Sequence, residues 1–374
     1  MNIVRRSLSV ASLALAAAFA LSSGAPAEAQ QYKKTDLTSD LAGASFQDMN
    51  LVNPWGLSRS STSPWWASDN GTGLATLYDG TGKPAALVVT IPPAAGGTMG
   101  VPTGTVFNGT TDFKLPNGNP ARFLFVGEDG TIAGWNGGTQ AVVTFTAADS
   151  VFKGAALAKS DGVSYLYVAN FSQHRIDVFD TSFKKVRAPH DAALLSDDGP
   201  GERFHGSFRD ERLPRGFAPF NVQNIGGSLY VTFAKVDAGG KDEVQGAGLG
   251  YVDVFSPGGR LLRRLEHGPW LNAPWGLALA PGDFGAFSHD LLVGQFGTGE
   301  IAVYDLASGR FVGKLQDESS AALSIDGLWA LSFGNGAGAG PLNTLYFTAG
   351  IQDEGHGLFG SLVPVAPAPF GNGQ

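Results

Sequence analysis

A motif that recurs along the chain constrains the fold more than any other feature of the sequence. Residues 53–57 read Asn-Pro-Trp-Gly-Leu, and residues 273–277 repeat this pattern as Ala-Pro-Trp-Gly-Leu. Looser copies begin near residues 101, 152, 218 and 327. Regular self-similarity of this kind is the sequence signature of a repeat architecture, in which each unit contributes one small piece of supersecondary structure. The sequence therefore predicts six equivalent units.

Each unit continues with short segments that are rich in β-branched and aromatic residues, which favour strands. Predicted second strands begin at Trp65, Phe123, Tyr165, Leu229, Leu291 and Leu345. A third segment in each unit has the apolar–polar alternation of a half-buried strand, and glycine-rich turns then lead to a fourth. Because no amphipathic helix longer than a turn or two separates the strands, a parallel doubly wound sheet is disfavoured. The predicted fold is an all-β, six-bladed β-propeller with four antiparallel strands per blade.

The two ends of the repeat region predict how the ring closes. The sixth unit lacks a fourth strand, and the chain continues into a Pro- and Gly-rich tail over residues 366–374. Residues 32–37, ahead of the first unit, form a lone strand pattern. We therefore predict a propeller domain over residues 32–365, in which the N-terminal strand closes the last blade and leaves no open sheet edge.

Two polar inserts interrupt the repeat. Residues 187–216 separate units three and four, and residues 235–248 extend the turn between the second and third strands of unit four. Long loops inside compact domains are often functional.

The first 29 residues have the layout of a secretory signal peptide. Arg5 and Arg6 precede an apolar run over residues 8–21, and the small-x-small pattern of residues 27–29 predicts cleavage after Ala29. The alternative is a membrane anchor, but the apolar run is shorter than the ~20 residues that a spanning helix needs. We expect a secreted or periplasmic protein that is not inserted in a membrane after cleavage.

Composition excludes several classes of function. The chain has no cysteine, which rules out thiol catalysis, cysteine-ligated zinc and iron–sulfur clusters. Its net charge of −8 repels phosphate backbones, so we expect no nucleic-acid partner. Motifs of zinc proteases and α/β-hydrolases are absent from the sequence. We expect a monomer.

Propeller geometry predicts that one face collects the turns between second and third strands, together with the loops that join blades. The 187–216 insert is expected there too. Nine candidate ligand-binding residues fall on this face: Asp69, Asn70, Glu128, Asp129, Asn170, His174, Asp237, Gln295 and Asp353. Their oxygen atoms suit a hard cation, which makes Ca²⁺ a candidate cofactor. The alternative is that Asp and Asn are simply good turn formers, and that His174 is a solvated surface residue rather than an acid or base.

A tenth candidate, Asn221, stands on an inner strand where most units have glycine. Its amide either faces a water or ligand in the channel or bonds to neighbouring backbone. Trp55, Trp275 and Trp329, with Phe220, are predicted to fill the space between blades. The adjacent Trp65 and Trp66 point to opposite faces of a strand, and one is a candidate to stack on a sugar or peptide, with packing between blades as the alternative.

Residues 53–57, 66–73 and 273–277 together resemble an uncharacterised family of exported bacterial proteins related to NHL-repeat six-bladed propellers. The resemblance covers residues 32–365 and implies the propeller fold and export, but no catalytic residues. Two functional hypotheses follow. One is a non-catalytic exported scaffold that binds a protein, peptide or glycan on its loop-rich face. The other is a Ca²⁺-dependent, lactonase-like hydrolase or lyase with the metal at the central channel.

Overall fold

Six small antiparallel sheets arranged in a ring account for nearly all regular structure in the computed structural model, which describes residues 30–186 and 206–365. Within those ranges the helical content is one 3-10 turn, Gly285–Phe287. The predicted six-bladed β-propeller is therefore confirmed. The predicted leader, the C-terminal tail and residues 187–205 of the first insert lie outside the described residues.

The strands follow the predicted order, four per blade from the channel outward. Blade 1 contains β3 (Pro54–Ser58), β4 (Trp65–Asp69), β5 (Leu74–Tyr78) and β6 (Val89–Thr90). Blade 2 contains β7 (Pro102–Phe107), β8 (Phe123–Gly127), β9 (Thr131–Trp135) and β10 (Val142–Thr146). Blade 3 contains β11 (Phe152–Ser160), β12 (Val163–Asn170), β13 (Arg175–Phe179) and β14 (Lys185–Val186).

The other three blades have additions to this plan. Blade 4 contains β15 (Phe217–Ile225), β16 (Ser228–Val236), β18 (Gly250–Phe255) and β19 (Leu261–Arg264), with the short β17 (Glu243–Val244) beside β16. Blade 5 contains β20 (Pro274–Leu279), β21 (Leu291–Gln295), β22 (Ile301–Tyr304) and β23 (Phe311–Lys314). Blade 6 contains β24 (Leu328–Phe333), β25 (Leu345–Ala349), β26 (Leu358–Pro364), β1 (Tyr32–Ser39) and β2 (Phe46–Gln47).

The N-terminal strand closes the ring as predicted. β1 pairs antiparallel with β26, from Tyr32 opposite Pro364 to Ser39 opposite Leu358. Tyr32 is fully buried, and its hydroxyl donates to the Phe284 carbonyl of blade 5 at 3.0 Å. The first strand thus joins two blades as well as completing one. A parallel strand, β2, adds a fifth member at the outer edge.

The adjacent tryptophans of β4 pack between blades. Trp66 stacks on Phe123 of blade 2 with ring centroids 4.3 Å apart, whereas Trp65 lies 5.0 Å from Tyr346 of blade 6. Both indoles are buried. Their opposite directions confirm the strand alternation, and their burial favours the packing alternative over an exposed stacking surface.

The tryptophans of the inner strands behave differently from the prediction. Trp55 stacks on Trp329 with centroids 3.6 Å apart, and it also lies 6.4 Å from Phe220, which comes from the opposite side of the ring. These rings and Trp275 form one buried cluster on the channel axis instead of filling the space between blades. The reason is that Gly56, the residue after Trp55, packs against the inner strand of blade 2. A Cβ on Gly56 would lie 2.5 Å from the Thr103 carbonyl oxygen of that strand. Alternation then directs the tryptophan to the axis.

The two inserts occupy different places. The Gly206 and Phe208 amides donate to the Gly258 and Gly259 carbonyls in the β18–β19 turn, at the opposite end of the blade from the β16–β18 loop. The prediction that the first insert joins the loop face is therefore wrong for residues 206–208, which are drawn away by the burial of Phe208 between blades 3 and 4. The second insert lies between β16 and β18, as predicted.

No helix within residues 30–186 and 206–365 is both long enough and apolar enough to span a membrane.

Candidate ligand site at the channel mouth

The face that carries the turns between second and third strands forms as predicted. Each turn is bonded to the loop that enters its own blade: the Asn70 amide donates to the Asn53 carbonyl, the Phe296 amide to that of Ala273, and the Gly350 amide to that of Gly327. These bonds fix the turns around the end of the channel. We refer to this surface as the loop face.

A buried lysine lies at the centre of the loop face. Lys153 is 1% exposed and stands on the inner strand of blade 3, where three other blades have tryptophan. Its Nζ donates to Glu128 Oε1 at 2.7 Å and to Asp242 Oδ1 at 3.2 Å. The same Nζ lies 4.8 Å from the ring centroid of Trp55, close enough for a cation–π interaction. Two carboxylates and an aromatic ring therefore enclose one ammonium group.

The charge of this lysine is maintained by its neighbours. Burial by itself lowers the pKa of Lys153, but Glu128, Glu243 and Asp242 together outweigh that effect and raise it. A buried ammonium with a raised pKa is a poor nucleophile, because its lone pair is protonated throughout the neutral range. Lys153 therefore acts as a fixed positive charge.

Amide side chains hold the carboxylates in place. Asn70 Nδ2 donates to Glu128 Oε2 at 2.9 Å, and Asn53 Nδ2 donates to Glu354 Oε2 at 2.6 Å. Asn53 is itself fixed, because its Oδ1 accepts a bond from Trp329 Nε1 at 3.0 Å. The aromatic cluster on the axis and the charged groups above it thus form one connected network.

Negative charge exceeds positive charge in this network. Burial raises the pKa of Glu243 to about 7, even though Lys153 lowers it. Burial also raises the pKa of Glu354, with the bond from Asn53 acting in the opposite direction. Four carboxyl groups, including Glu128 and Asp242, share a single ammonium. Clusters of groups with perturbed pKa values are found preferentially at functional sites.

Glu354 connects the network to an open pocket of about 510 Å³. Asp326 and Asp353 also line this pocket and are exposed, and Gln245 reaches it from the second insert. Phe296, which stacks on Trp329 with centroids 4.1 Å apart, provides an apolar wall. Among the described residues, the lining includes no lysine, arginine or histidine. The pocket is therefore acidic, with one aromatic surface.

The turn that carries Glu354 has an unusual backbone. Gln352, Asp353 and Glu354 have φ values of 55°, 53° and 61°, so three successive non-glycine residues adopt the left-handed conformation. This conformation costs roughly 1–2 kcal/mol per residue. The turn brings Glu354 to Asn53 and leaves Asp353 exposed at the pocket.

Three of the predicted site residues belong to this arrangement: Asn70 and Glu128 in the network, and Asp353 at the pocket. Asn221 lies on the channel but bonds to backbone, since its Nδ2 donates to the Trp275 carbonyl at 2.9 Å and its Oδ1 accepts from the Val222 amide at 2.8 Å. It borders a cavity of only about 20 Å³, the size of one water molecule. The backbone alternative thus describes Asn221.

Three other candidates are buried within the sheets. Asp69, Asn170 and Gln295 are each the last residue of a second strand, and each is 0% exposed. Asp69 accepts a bond from Thr76, Asn170 donates to Asp177, and Gln295 accepts from the Asn272 amide. These side chains form hydrogen bonds at the ends of their strands, and none of them lines the pocket.

The remaining three candidates shape turns. Asp129 accepts bonds from Thr131 and from the Ala94 amide, and Asp237 accepts from the Lys241 amide. His174 has a φ of 51° and is exposed. The turn-former alternative describes Asp129 and Asp237, and the surface alternative describes His174. Within the described ranges, no group of three or more His, Asp or Glu side chains could hold a metal ion, and calcium stays a prediction.

Sequence reasoning missed the centre of the site. Lys153, Asp242, Glu243 and Glu354 were not among the candidates. A signal for Lys153 existed, because aligning the repeat motifs places a lysine where other units have an aromatic residue or threonine. The contribution of Glu354 had no such signal, since it depends on the left-handed turn.

Comparison with known proteins identifies relatives of unestablished function. No family model matches the chain. An uncharacterised protein of Acanthamoeba polyphaga mimivirus is 31% identical over 330 residues, covering 85% of this chain and 76% of the relative. A second from the same virus is 31% identical over 327 residues, covering 84% and 81%. The expected membership of an exported bacterial family is wrong, because these curated relatives are viral.

Solved structures agree with the fold. Virginiamycin B lyase from Staphylococcus aureus aligns with a TM-score of 0.51 and 11% identity, covering 90% of this chain and all of that one. A glucose dehydrogenase aligns with a TM-score of 0.52 and 14% identity over the same shares. At such low identities the likeness extends to the fold alone.

Proposed function

This chain belongs to the same family as the two uncharacterised mimivirus proteins, and we propose that it is a binding protein whose loop face holds a positively charged peptide segment. The observation that carries the proposal is the acidic pocket of about 510 Å³, whose lining includes Asp326, Asp353 and Glu354 and, among the described residues, no lysine, arginine or histidine. Complementary charge selects partners and speeds their association.

The chemistry of the pocket favours a peptide over a glycan. A lysine or arginine side chain combines an apolar stem with a cationic head, which matches the Phe296 ring and the carboxyl groups around it. Ligand pockets usually measure roughly 300–1,000 Å³, so the volume suits a few side chains. The indoles that were candidates for sugar stacking, Trp65 and Trp66, are buried between blades.

We propose no reaction. The lyase and the dehydrogenase among the solved neighbours share the propeller with this chain, but one fold hosts many unrelated functions. The ammonium of Lys153 is buried, and the side-chain amides of Asn70 and Asn53 hold Glu128 and Glu354 by hydrogen bonds. Charged groups fixed in this way suit the binding of a charged ligand.

Export remains part of the proposal on the strength of the N-terminal sequence. The layout of residues 1–29 supports cleavage after Ala29, which leaves Gln30 as the first residue of the mature protein. N-terminal sequencing of protein recovered from a bacterial periplasm tests this, and a chain that retains the leader in the cytoplasm contradicts it.

The binding proposal is tested by isothermal titration calorimetry with a tetralysine peptide and a tetraglutamate control. We expect tetralysine alone to bind, with an affinity that weakens as salt screens the charges. The double variant Asp326→Asn, Asp353→Asn should weaken binding about tenfold or more, equivalent to ~1.4 kcal/mol. The matched control is Asp161→Asn, which removes a charge from the exposed β11–β12 turn at the other end of blade 3. Equal losses in both variants, or no binding, contradict the proposal.

A further inference from the structure

The loop between β16 and β18 extends from blade 4 across the mouth of the channel. Asp242 reaches Lys153 of blade 3 at 3.2 Å, and the Gly246 amide donates to Asn272 Oδ1, next to blade 5, at 2.6 Å. Gln245 lines the acidic pocket. We call residues 237–248 the strap. It contacts the elements on both sides of its own blade.

The strap is attached mainly by polar contacts. The short strand β17 of the strap is paired with β16 over two residues only, with Glu243 opposite Val236 and Val244 opposite Lys235. Asp237 accepts the Lys241 and Asp242 amides within the strap itself. Val244, an apolar side chain near its centre, is 38% exposed. Segments with few buried apolar contacts open at a lower free energy than the strands around them.

Glu243 lies at the point where the strap meets the charged network. The groups that act on it are Lys153 of β11, Glu354 of the β25–β26 turn and Asp242 of the strap. Lys153 is already bonded to Asp242 and to Glu128 of the β8–β9 turn. Glu243 is half-buried. Because the surrounding carboxylates already share one ammonium, ionisation of Glu243 adds a negative charge that no further cation balances.

We propose that the strap is a pH-dependent cover of the channel mouth, which is closed while Glu243 is protonated and loosens when Glu243 ionises. Its role as the cover of a ligand site rests on the proposed function, whereas its opening is a property of the loop and can be measured without a ligand.

The direction of the pH effect follows because protonation of Glu243 and opening of the strap are thermodynamically linked. Burial raises the pKa of Glu243 to about 7 in the closed strap, and an open strap returns it to an ordinary value of ~4.3. The closed state therefore binds the proton more tightly. The stability that the proton adds to the closed strap is fully present below pH ~4.3. It is lost as pH rises through about 7. Between pH 5.5 and 8 the opening equilibrium should increase about tenfold or more.

Hydrogen exchange on the intact protein, followed by mass spectrometry and corrected for intrinsic exchange rates, tests the proposal. Protection of peptides covering residues 241–248 should fall about tenfold or more from pH 5.5 to pH 8, while peptides from β26 keep their protection. The matched variant is Glu243→Gln, which preserves the shape and cannot ionise, so the protection of its strap should not change with pH.

A second variant guards against the chance that the Glu243→Gln substitution itself disturbs the strap. Glu354→Gln removes one negative neighbour and should shift the pH at which protection is lost to a lower value. Protection that is equal at both pH values, or a pH dependence that persists in Glu243→Gln, overturns the inference. A strap that responds to pH in a protein that binds no tetralysine overturns the proposed function and leaves this inference intact.

Discussion

Lys153 Nζ lies 2.7 Å from Glu128 Oε1, although the two residues belong to different blades. The same nitrogen reaches Asp242, which is on the strap of blade 4. One buried cation therefore ties three consecutive blades together at the channel mouth. Because a charge removed from water is stable only with partners, each member of this group depends on the others.

Replacing the lysine tests that dependence. Lys153→Met keeps most of the side-chain volume but leaves the partly exposed Glu128 without its counter-charge, so the free energy of unfolding should fall by roughly 1–3 kcal/mol. Thermal or urea unfolding measures the loss. Lys159→Met is the control, since Lys159 lies on the same strand and is exposed. A variant at position 153 that is as stable as this control contradicts the account.

Asp69 predicts a pH dependence of stability. It is fully buried, its Oδ1 has no hydrogen-bond partner within the described part of the chain, and burial raises its pKa well above the usual value. A folded-state pKa above the unfolded value means that stability is lost as pH rises from ~3.9 through the folded value.

Asp69→Asn should therefore stabilise the protein at pH 7–8 by on the order of 1 kcal/mol and flatten the dependence of the melting temperature on pH. Blade 3 shows that an amide fits there, because Asn170 ends its second strand in the same way. The exposed Asp161→Asn provides the comparison. Unchanged pH profiles in both variants argue against a protonated Asp69.

Asn221 is predicted to stabilise the protein without contributing to binding. Asn221→Ala removes the bonds to the Trp275 carbonyl and the Val222 amide, and lost buried hydrogen bonds cost ~1–3 kcal/mol. Melting temperature should fall while tetralysine binding stays unchanged. Weaker binding with unaltered stability would instead favour a ligand in the channel.

The architecture could be predicted because its signals are local. The repeated motif, the strand alternation and the lone strand at Tyr32 each reflect a short stretch of chain, and together they predict the six blades and the closure with β26. The convergence of Asn70 and Glu128 was also predictable, since propeller geometry places successive turns side by side.

The chemistry of the site could not be predicted, because it depends on contacts between distant segments. Period-two alternation shows that Trp55 and Gly56 face opposite ways, but not which of them faces the axis. Asp69 and Glu128 look alike in sequence as turn carboxylates, yet one is buried in a sheet and the other bonds to Lys153. Only the packing of neighbouring blades separates them.

The ring closure is the claim on which the shared loop face depends, and a disulfide tests it most directly. The chain has no cysteine, so Lys33→Cys with Val363→Cys places a single pair at directly opposed positions of β1 and β26. Opposed residues in antiparallel strands have Cα separations that a disulfide can bridge. We predict that mild oxidation yields an intramolecular crosslink in nearly all of the protein, seen on a non-reducing gel, with a higher melting temperature. A pair that stays reduced, or that crosslinks only between molecules, contradicts the closed ring.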